Sequence, residues 1–119
     1  MTVPLTKETL ESIYELVRAT PPFNRWNLPD SEDIKFVVVK THNLYGYYDY
    51  DRKTKEHTIG ISANKNGYLH SLIETMAHEM IHVFERRTGM CKPSQHSAAF
   101  RRIAAQVCKI HGFDPKRFC

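Results

Sequence analysis

The chain has 119 residues, of which 41% are hydrophobic and 25% charged, and its formal net charge is +4. This length and composition suffice for one globular domain, residues 1–119. They exclude a multidomain protein and a fold that depends on disulfides. The sequence has no run of 18 apolar residues, no signal-peptide core and no C-x-x-C pair among its three cysteines, which excludes secreted and membrane-spanning classes and predicts a cytoplasmic protein with reduced thiols.

The first predicted element is a helix over residues 6–19. Thr6 is a suitable N-cap, and Leu5 and Leu10 have the spacing of a hydrophobic staple around it. The helix must end before Pro21-Pro22, because proline cannot continue it. Its buried stripe is predicted to consist of Leu10, Ile13, Leu16 and Val17.

Three strands are predicted after this helix, at Ile34–Thr41, Tyr45–Tyr50 and His57–Ser62. The first is rich in β-branched residues and follows a turn-forming segment. The polar residues 51–56 between the second and third strands read as a hairpin loop, and such short connections favour antiparallel pairing. The sequence therefore predicts a three-stranded, mainly antiparallel sheet.

Two helices are predicted after the strands. Ser71 and Glu74 have the spacing of a capping box at the start of the second helix, and Gly89 is a suitable left-handed stop after Arg86 and Arg87. A third helix is predicted over residues 97–110, with an inward face of Phe100, Ile103, Ala104 and Val107. The order of elements predicts an α+β fold.

The second helix contains His78-Glu79-Met80-Ile81-His82, an H-E-x-x-H motif. At about 100° per residue, the two histidines lie one turn apart and about 40° apart around the helix axis, so their imidazoles converge on one ion. Glu79 projects close enough to reach a water on that ion without binding the ion itself. The alternative is a chance motif in a structural helix whose histidines bind nothing.

A catalytic zinc site needs a third protein ligand and an open position. Glu85 and Thr88 occupy positions where the extended metzincin pattern requires Gly and His, and no later Glu is present to complete a thermolysin-type site. His96 is the preferred third ligand, since it follows His82 by 14 residues and stands where the third helix begins. The downstream alternatives are His111, Asp114 and the cysteines.

The remaining histidines have simpler interpretations. His111 is predicted to lie in the last turn of the third helix, where a protonated imidazole favours the helix dipole. Three others, His42, His57 and His70, are predicted to be surface residues. A group that stabilises the oxyanion of the reaction is expected, and the candidates left open are Tyr45, Tyr47, Tyr48 and His111.

The segment ETMAHEMIHVFERRTG…QHSAAF resembles the SprT-like (Spartan-type) zinc metalloprotease domain, with a match over about residues 57–112. In that family H-E-M-I-H is followed by a third histidine that starts a helix and soon afterwards by a phenylalanine, here His96 and Phe100. The resemblance implies a compact zincin-like fold and an endopeptidase, in several members one that acts on proteins bound or crosslinked to DNA. It implies Glu79 as catalytic base and Zn²⁺ held by His78, His82 and His96.

Charge is distributed unevenly along the chain. Residues 1–85 contain nine basic and twelve acidic residues, whereas residues 86–119 contain eight basic residues and only Asp114, a net charge of +7. Such a basic segment attracts phosphate, although a solvated helix face has the same composition. DNA is therefore a candidate partner through the C-terminal third, beside a protein or peptide substrate, and no membrane is expected.

The hypothesis that follows is hydrolysis of peptide bonds assisted by zinc, with Glu79 moving the proton. An extended substrate is expected to pair with the edge of the strand His57–Ser62, which leads into the metal-bearing helix. A DNA-binding accessory protein with a structural or vestigial metal is the alternative function. A fourth ligand from Cys91 or His111 would favour that alternative, because structural zinc sites are closed.

Overall fold

The described part of the chain consists of helices that pack on one face of a three-stranded mixed sheet. The structure is a computed structural model and describes residues 5–66, 68–89 and 97–118, without the side chain of residue 117. Its helices are α1 (Lys7–Arg18), α2 (Leu69–Thr88), α3 (Ala98–His111) and the short α4 (Pro115–Phe118), and its strands are β1 (Ile34–Val39), β2 (Gly46–Asp51) and β3 (Glu56–Ser62). The predicted α+β class is confirmed.

The strands lie in the order β1-β3-β2. β2 and β3 form the predicted antiparallel hairpin, with Tyr48 opposite Ile59, whereas β1 runs parallel to β3, with Phe36 opposite Ile59. The last strand in sequence is therefore the central one. Its two edges are both paired, and β1 and β2 are the edge strands of the sheet as described.

One face of the sheet forms the core with the helices. Phe36, Ile59 and Ile61 are buried on this face, and Tyr14 of α1 meets the ring of Phe36 edge-on at 5.5 Å between centroids. α2 supplies the other half of the core with Leu72, Met76, Met80, Ile81 and Val83, all fully buried. α2 therefore passes through the centre of the molecule, with apolar contacts on more than one side.

The predicted bounds of α1 are confirmed, but one residue of its stripe is wrong. The Thr6 hydroxyl accepts a hydrogen bond from the Thr9 amide at 3.1 Å, as an N-cap does. Leu16 is 57% exposed, and Tyr14 is fully buried in the core. The reason is angular: positions 10, 13, 14 and 17 follow one stripe at about 100° per residue, and position 16 falls outside it.

The ends of α2 and α3 agree with the sequence except at the start of α2. Gly89 and Gly112 adopt the left-handed conformation at the C-caps, with φ of 69° and 77°, and the Ser97 hydroxyl caps α3. The predicted capping box is wrong, because α2 begins at Leu69 and Ser71 already lies inside its first turn. The Ser71 hydroxyl instead donates to the Tyr68 carbonyl at 3.0 Å. None of the described helices is long and apolar enough to cross a bilayer.

Candidate metal centre

The structure brings together the side chains of the H-E-x-x-H motif. One potential ligand atom from each of His78, Glu79 and His82 lies within 4.8 Å of the others. The two imidazole centroids are 5.2 Å apart. Since α2 is a regular helix over this stretch, the one-turn spacing of the histidines turns both rings toward the same space.

The third predicted ligand, His96, lies outside the described residues, as does Cys91. The helix that follows is described from its N-cap, Ser97, and its first turn packs on the two histidines. The Phe100 ring stacks on His82 at 4.6 Å and lies 5.0 Å from His78. The beginning of α3 is thus beside the pair of imidazoles.

Both histidines hydrogen-bond through the same ring nitrogen. Nδ1 of His78 donates to the Phe118 carbonyl at 2.7 Å, and Nδ1 of His82 donates to the carboxylate of Glu85 at 3.1 Å. A carbonyl and a carboxylate can only accept here, so both rings carry their proton on Nδ1 and Nε2 is the nitrogen suited to a metal. Two such imidazoles beside a buried carboxyl fit a transition-metal ion, and zinc is one of those that imidazole ligands suit.

These two partners were missed by sequence analysis. Glu85 is fully buried one turn after His82, so the spacing of three residues on a helix was a usable signal. Phe118 is 40 residues from His78 in sequence and acts through its backbone. A backbone acceptor at such a distance leaves no pattern in side-chain types.

Glu79 is 5% exposed, and burial raises the pKa of its carboxyl to about 8. β2 passes close to it at Gly46. A Cβ at residue 46 would lie 2.8 Å from the Thr75 side chain, 2.8 Å from the Gly60 carbonyl and 3.4 Å from a carboxylate oxygen of Glu79. Only glycine therefore lets β2 approach α2 this closely at the carboxyl.

A buried polar network holds the chain around this contact. The Thr75 hydroxyl donates to the side-chain oxygen of Asn66 at 2.8 Å, and the Asn66 amide donates to the carbonyls of Tyr45 and Ser62, each at 2.8 Å. Asn66 and Ser62 are fully buried. The network joins the residue just before β2 to the helix turn that precedes Glu79.

Among the four candidates for oxyanion stabilisation, only Tyr48 is placed by a described contact against a motif histidine. Its ring stacks on His82 with 6.3 Å between centroids, and burial raises the pKa of its hydroxyl. The hydroxyl forms a hydrogen bond with Nδ1 of His57 at 2.6 Å. That hydroxyl thus contacts a histidine of β3 outside the motif and also interacts with the Arg86 side chain.

The other three candidates have different surroundings. The Tyr47 ring covers Gly60 on the opposite face of the sheet, and Tyr45 is exposed with the Lys65 ammonium over its ring. His111 is the last residue of α3, and its Nε2 donates to the Pro21 carbonyl at 2.7 Å. That bond ties α3 to the segment that follows α1.

The prediction that His57 is a surface residue is wrong, whereas His42 and His70 are exposed as predicted. His57 is buried beside Tyr48 and Tyr50, with centroids 5.9 and 5.0 Å away. Burial, and then the positive charges of nearby arginines, lower the pKa of its imidazole. It faces the helices because residues 57, 59 and 61 of β3 lie on the same face of the sheet as one another. The pairing of β3 with β1 fixes which face this is.

The expected docking of a substrate on β3 is also wrong. Both edges of β3 carry backbone pairs, since β1 pairs with residues 57–62 and β2 with residues 56–61. An extended peptide needs an open edge. The edge strand that contacts the centre is β2, through Gly46 at Glu79 and Tyr48 at His82.

Some basic residues of the C-terminal third contact other parts of the protein, and others are exposed. The Arg86 guanidinium lies 4.7 Å above the Tyr50 ring, and Arg87 donates to the Asn27 carbonyl. Arg101, Arg102 and Lys109 are exposed on α3. α3 contains no acidic residue, so the charged side chains on its solvent face are all basic.

The fold and the motif helix together define an α+β domain with a candidate metal centre of the H-E-x-x-H type. The chain belongs to the SprT-like family, whose model matches residues 15–118. Comparisons with curated proteins and with solved structures gave no significant match. The suspected family is therefore confirmed over nearly the whole chain.

Proposed function

We propose that the protein is a zinc-dependent endopeptidase, with His78, His82 and His96 as ligands and Glu79 as the catalytic base. The observation that carries this proposal is the placement of two imidazoles, each donating through Nδ1, around a buried carboxyl on one helix. Zinc sites that hydrolyse peptides combine such imidazoles with a third ligand. Residue 96 precedes the N-cap of a helix whose first turn packs on both rings, which supports His96 as that ligand.

The protein contributes a proton carrier and its orientation. A bound Zn²⁺ supplies a Lewis acid that polarises the scissile carbonyl and acidifies a water. Glu79 takes a proton from the attacking water and passes it to the leaving amine nitrogen. Its pKa of about 8 applies to the carboxyl surrounded by protein alone. A cation at the two imidazoles would lower that pKa and would favour the carboxylate that a base requires.

The substrate is proposed to be an extended peptide that pairs with β2. This strand is an edge of the described sheet, and its first residue, Gly46, lies against Glu79. Backbone pairing at this edge brings a peptide bond past the catalytic carboxyl without requiring a particular side chain.

Substrates bound or crosslinked to DNA are proposed on the basis of α3. Its solvent face carries Arg101, Arg102 and Lys109 without an acidic neighbour on the helix. Neutralising all three to Gln should weaken binding to duplex DNA and reduce the salt dependence of that binding by about three phosphate contacts. Unchanged salt dependence would remove DNA from the proposal and leave the peptidase untouched.

The peptidase is tested by metal analysis and by cleavage of casein and of a DNA-bound protein. Glu79→Gln should retain zinc and lose cleavage, because it keeps the shape of the side chain and removes the base. Glu56→Gln, at an exposed glutamate of β3, is the matched control and should retain both. Cleavage by Glu79→Gln at the wild-type rate would refute the assignment.

The positive face of α3 also favours a second candidate, a DNA-binding accessory protein with a structural metal. It predicts DNA binding together with zinc and no cleavage by the wild-type protein. Under that outcome Glu79→Gln leaves every measured property unchanged.

A further inference from the structure

The C-terminal helix α4 contacts one of the two motif histidines through a backbone atom. The Phe118 carbonyl accepts the hydrogen bond from Nδ1 of His78, and the two rings lie 5.5 Å apart. Phe118 is 4% exposed. His82, in contrast, takes its partner Glu85 from its own helix. The orientation of His78 therefore depends on a segment 40 residues away.

We propose that α4 is a positioning element for the metal centre, in which the Phe118 carbonyl fixes the ring of His78, so that docking of α4 and metal binding stabilise each other. This inference rests on the proposed zinc site. A hydrogen bond at Nδ1 fixes the tautomer of a ligating histidine and aims its Nε2. Because protein atoms alone make this contact, His78 is a preorganised ligand.

The carbonyl is itself held in place. The Phe118 ring stacks on Phe113 with 5.4 Å between centroids and 10° between planes, and the Phe118 amide donates to the Asp114 carbonyl at 2.9 Å. Phe113 in turn stacks on His111, which is bonded to Pro21. A line of ring contacts thus anchors α4 from the end of α3 to the segment after α1.

Coupling between α4 and the metal must be reciprocal, because binding and docking share one free energy. If the docked α4 raises zinc affinity, bound zinc must raise the stability of docked α4 by the same factor. Loss of the partner of a ligating histidine lowers metal affinity by about 10- to 100-fold in other metal sites. We expect an effect near the lower end, because His82 keeps its own partner.

The carbonyl is tested directly by an ester. In a Cys119→Ala parent, lactic acid in place of alanine 119 converts the amide that contains the Phe118 carbonyl into an ester, a weaker acceptor, with every side chain retained. Zinc affinity, measured by competition with a chromogenic chelator, should fall about tenfold. The visible absorption of the Co²⁺ form should shift, because the ring of His78 is no longer held. Equal affinity and identical spectra would overturn the inference.

The ester also removes the N–H of residue 119, so a second test of the same contact is needed. Two substitutions of the Phe118 side chain provide it. Phe118→Ala should lower zinc affinity, and Phe118→Leu should restore most of it. The control is Phe36→Ala, which removes an equally buried phenylalanine from β1 and should lower thermal stability without changing affinity. Equal losses of zinc affinity in Phe118→Ala and Phe36→Ala would show that α4 only stabilises the fold in general, and would overturn the inference.

Hydrogen exchange tests the reciprocal effect. Added zinc should slow exchange of the Phe118 amide in the parent and slow it less in the ester variant. A parent protein that binds no zinc would refute the proposed function and, with it, this inference. A parent that binds zinc without slowing that amide would refute the inference alone.

Discussion

At the scale of single residues, the candidate metal centre depends on buried polar groups whose partners set their state. Glu85 is fully buried, and its carboxylate accepts the hydrogen bond from Nδ1 of His82. A buried carboxylate is costly without such a donor, so the pair is stable only as a pair. The same bond raises the basicity of the imidazole toward a metal.

We predict that Glu85→Ala lowers zinc affinity by about 10- to 100-fold, because His82 loses its fixed tautomer. Glu85→Gln should lose less, since its amide oxygen still accepts from Nδ1. Competition with a chelator measures both. A Glu85→Ala protein with wild-type affinity would show that the carboxylate does not support the ligand.

His57 gives a prediction about pH. Its pKa is lowered in the folded protein, so between that pKa and 6.5 the unfolded chain binds more protons than the folded one. The free energy of unfolding therefore falls as the pH drops below 6.5 and stays lower below the folded pKa. In metal-free protein, His57→Gln should lose less stability than wild type between about pH 7.5 and 5, measured by urea unfolding.

The control for His57 is His42→Gln, at an exposed histidine, which should follow the wild-type curve. Coincident pH curves for His57→Gln and wild type would contradict the assignment of a buried, neutral His57. The residue itself shows the limit of sequence reasoning at this scale. A histidine near a strand end gives no sign of which face it occupies until the register with the neighbouring strands is known.

At the scale of elements, helix ends were predictable where the signal was local. Thr6 and Gly89 are the caps that the sequence predicts, and the structure has both in those places. Ser97 and Gly112 cap α3, close to the predicted bounds of that helix. The capping box at Ser71 failed because Ser71 lies inside the first turn, where its hydroxyl donates to the Tyr68 carbonyl. α2 begins earlier, with Tyr68 as its N-cap and no side-chain cap bond.

Gly46 supports a prediction about the contact between β2 and α2. Gly46→Ala should destabilise the protein by about 1–3 kcal/mol, because its Cβ meets Thr75 and the Gly60 carbonyl at 2.8 Å. It should also reduce cleavage, since β2 must move away from Glu79. Urea unfolding and peptidase assays measure the two effects.

The matched variant is Gly112→Ala, at a glycine with φ of 77° where an added Cβ would meet no atom within 4 Å. It should cost stability through backbone strain alone, by about 1 kcal/mol, and leave the cleavage rate per folded molecule unchanged. Equal cleavage rates per folded molecule in the two alanine variants would show that the position of β2 does not affect catalysis.

At the scale of the whole molecule, the sequence predicted the three longer helices and the three strands, but neither α4 nor the way in which the elements are arranged. The hairpin of β2 and β3 was accessible because a short polar loop joins its strands. The parallel pair of β1 and β3 joins residues about twenty positions apart and depends on the core that α1 and α2 form above the sheet. The Phe118 carbonyl at His78 belongs to the same class of long-range contact.

The candidate metal centre joins these distant parts, so a bound metal should stabilise the entire fold. His78 and His82 contact α3 through Phe100, and His78 contacts α4 through Phe118. A ligand at about 1,000 times its Kd stabilises the folded state by about 4 kcal/mol. For a domain of this size that corresponds to a Tm shift on the order of 10 °C. Chelator should lower the Tm of the zinc-loaded protein by that amount in a scanning calorimeter.

The variant that tests the origin of the shift is His78→Ala/His82→Ala. It removes the two imidazoles and should unfold at the same temperature with and without chelator. A chelator response that persists in this variant would place the stabilising metal elsewhere, whereas no response in wild type would mean that the two histidines hold no stabilising metal. Re-addition of zinc should restore the wild-type Tm, because the Nδ1 bonds to Phe118 and Glu85 keep both rings oriented while the metal is absent.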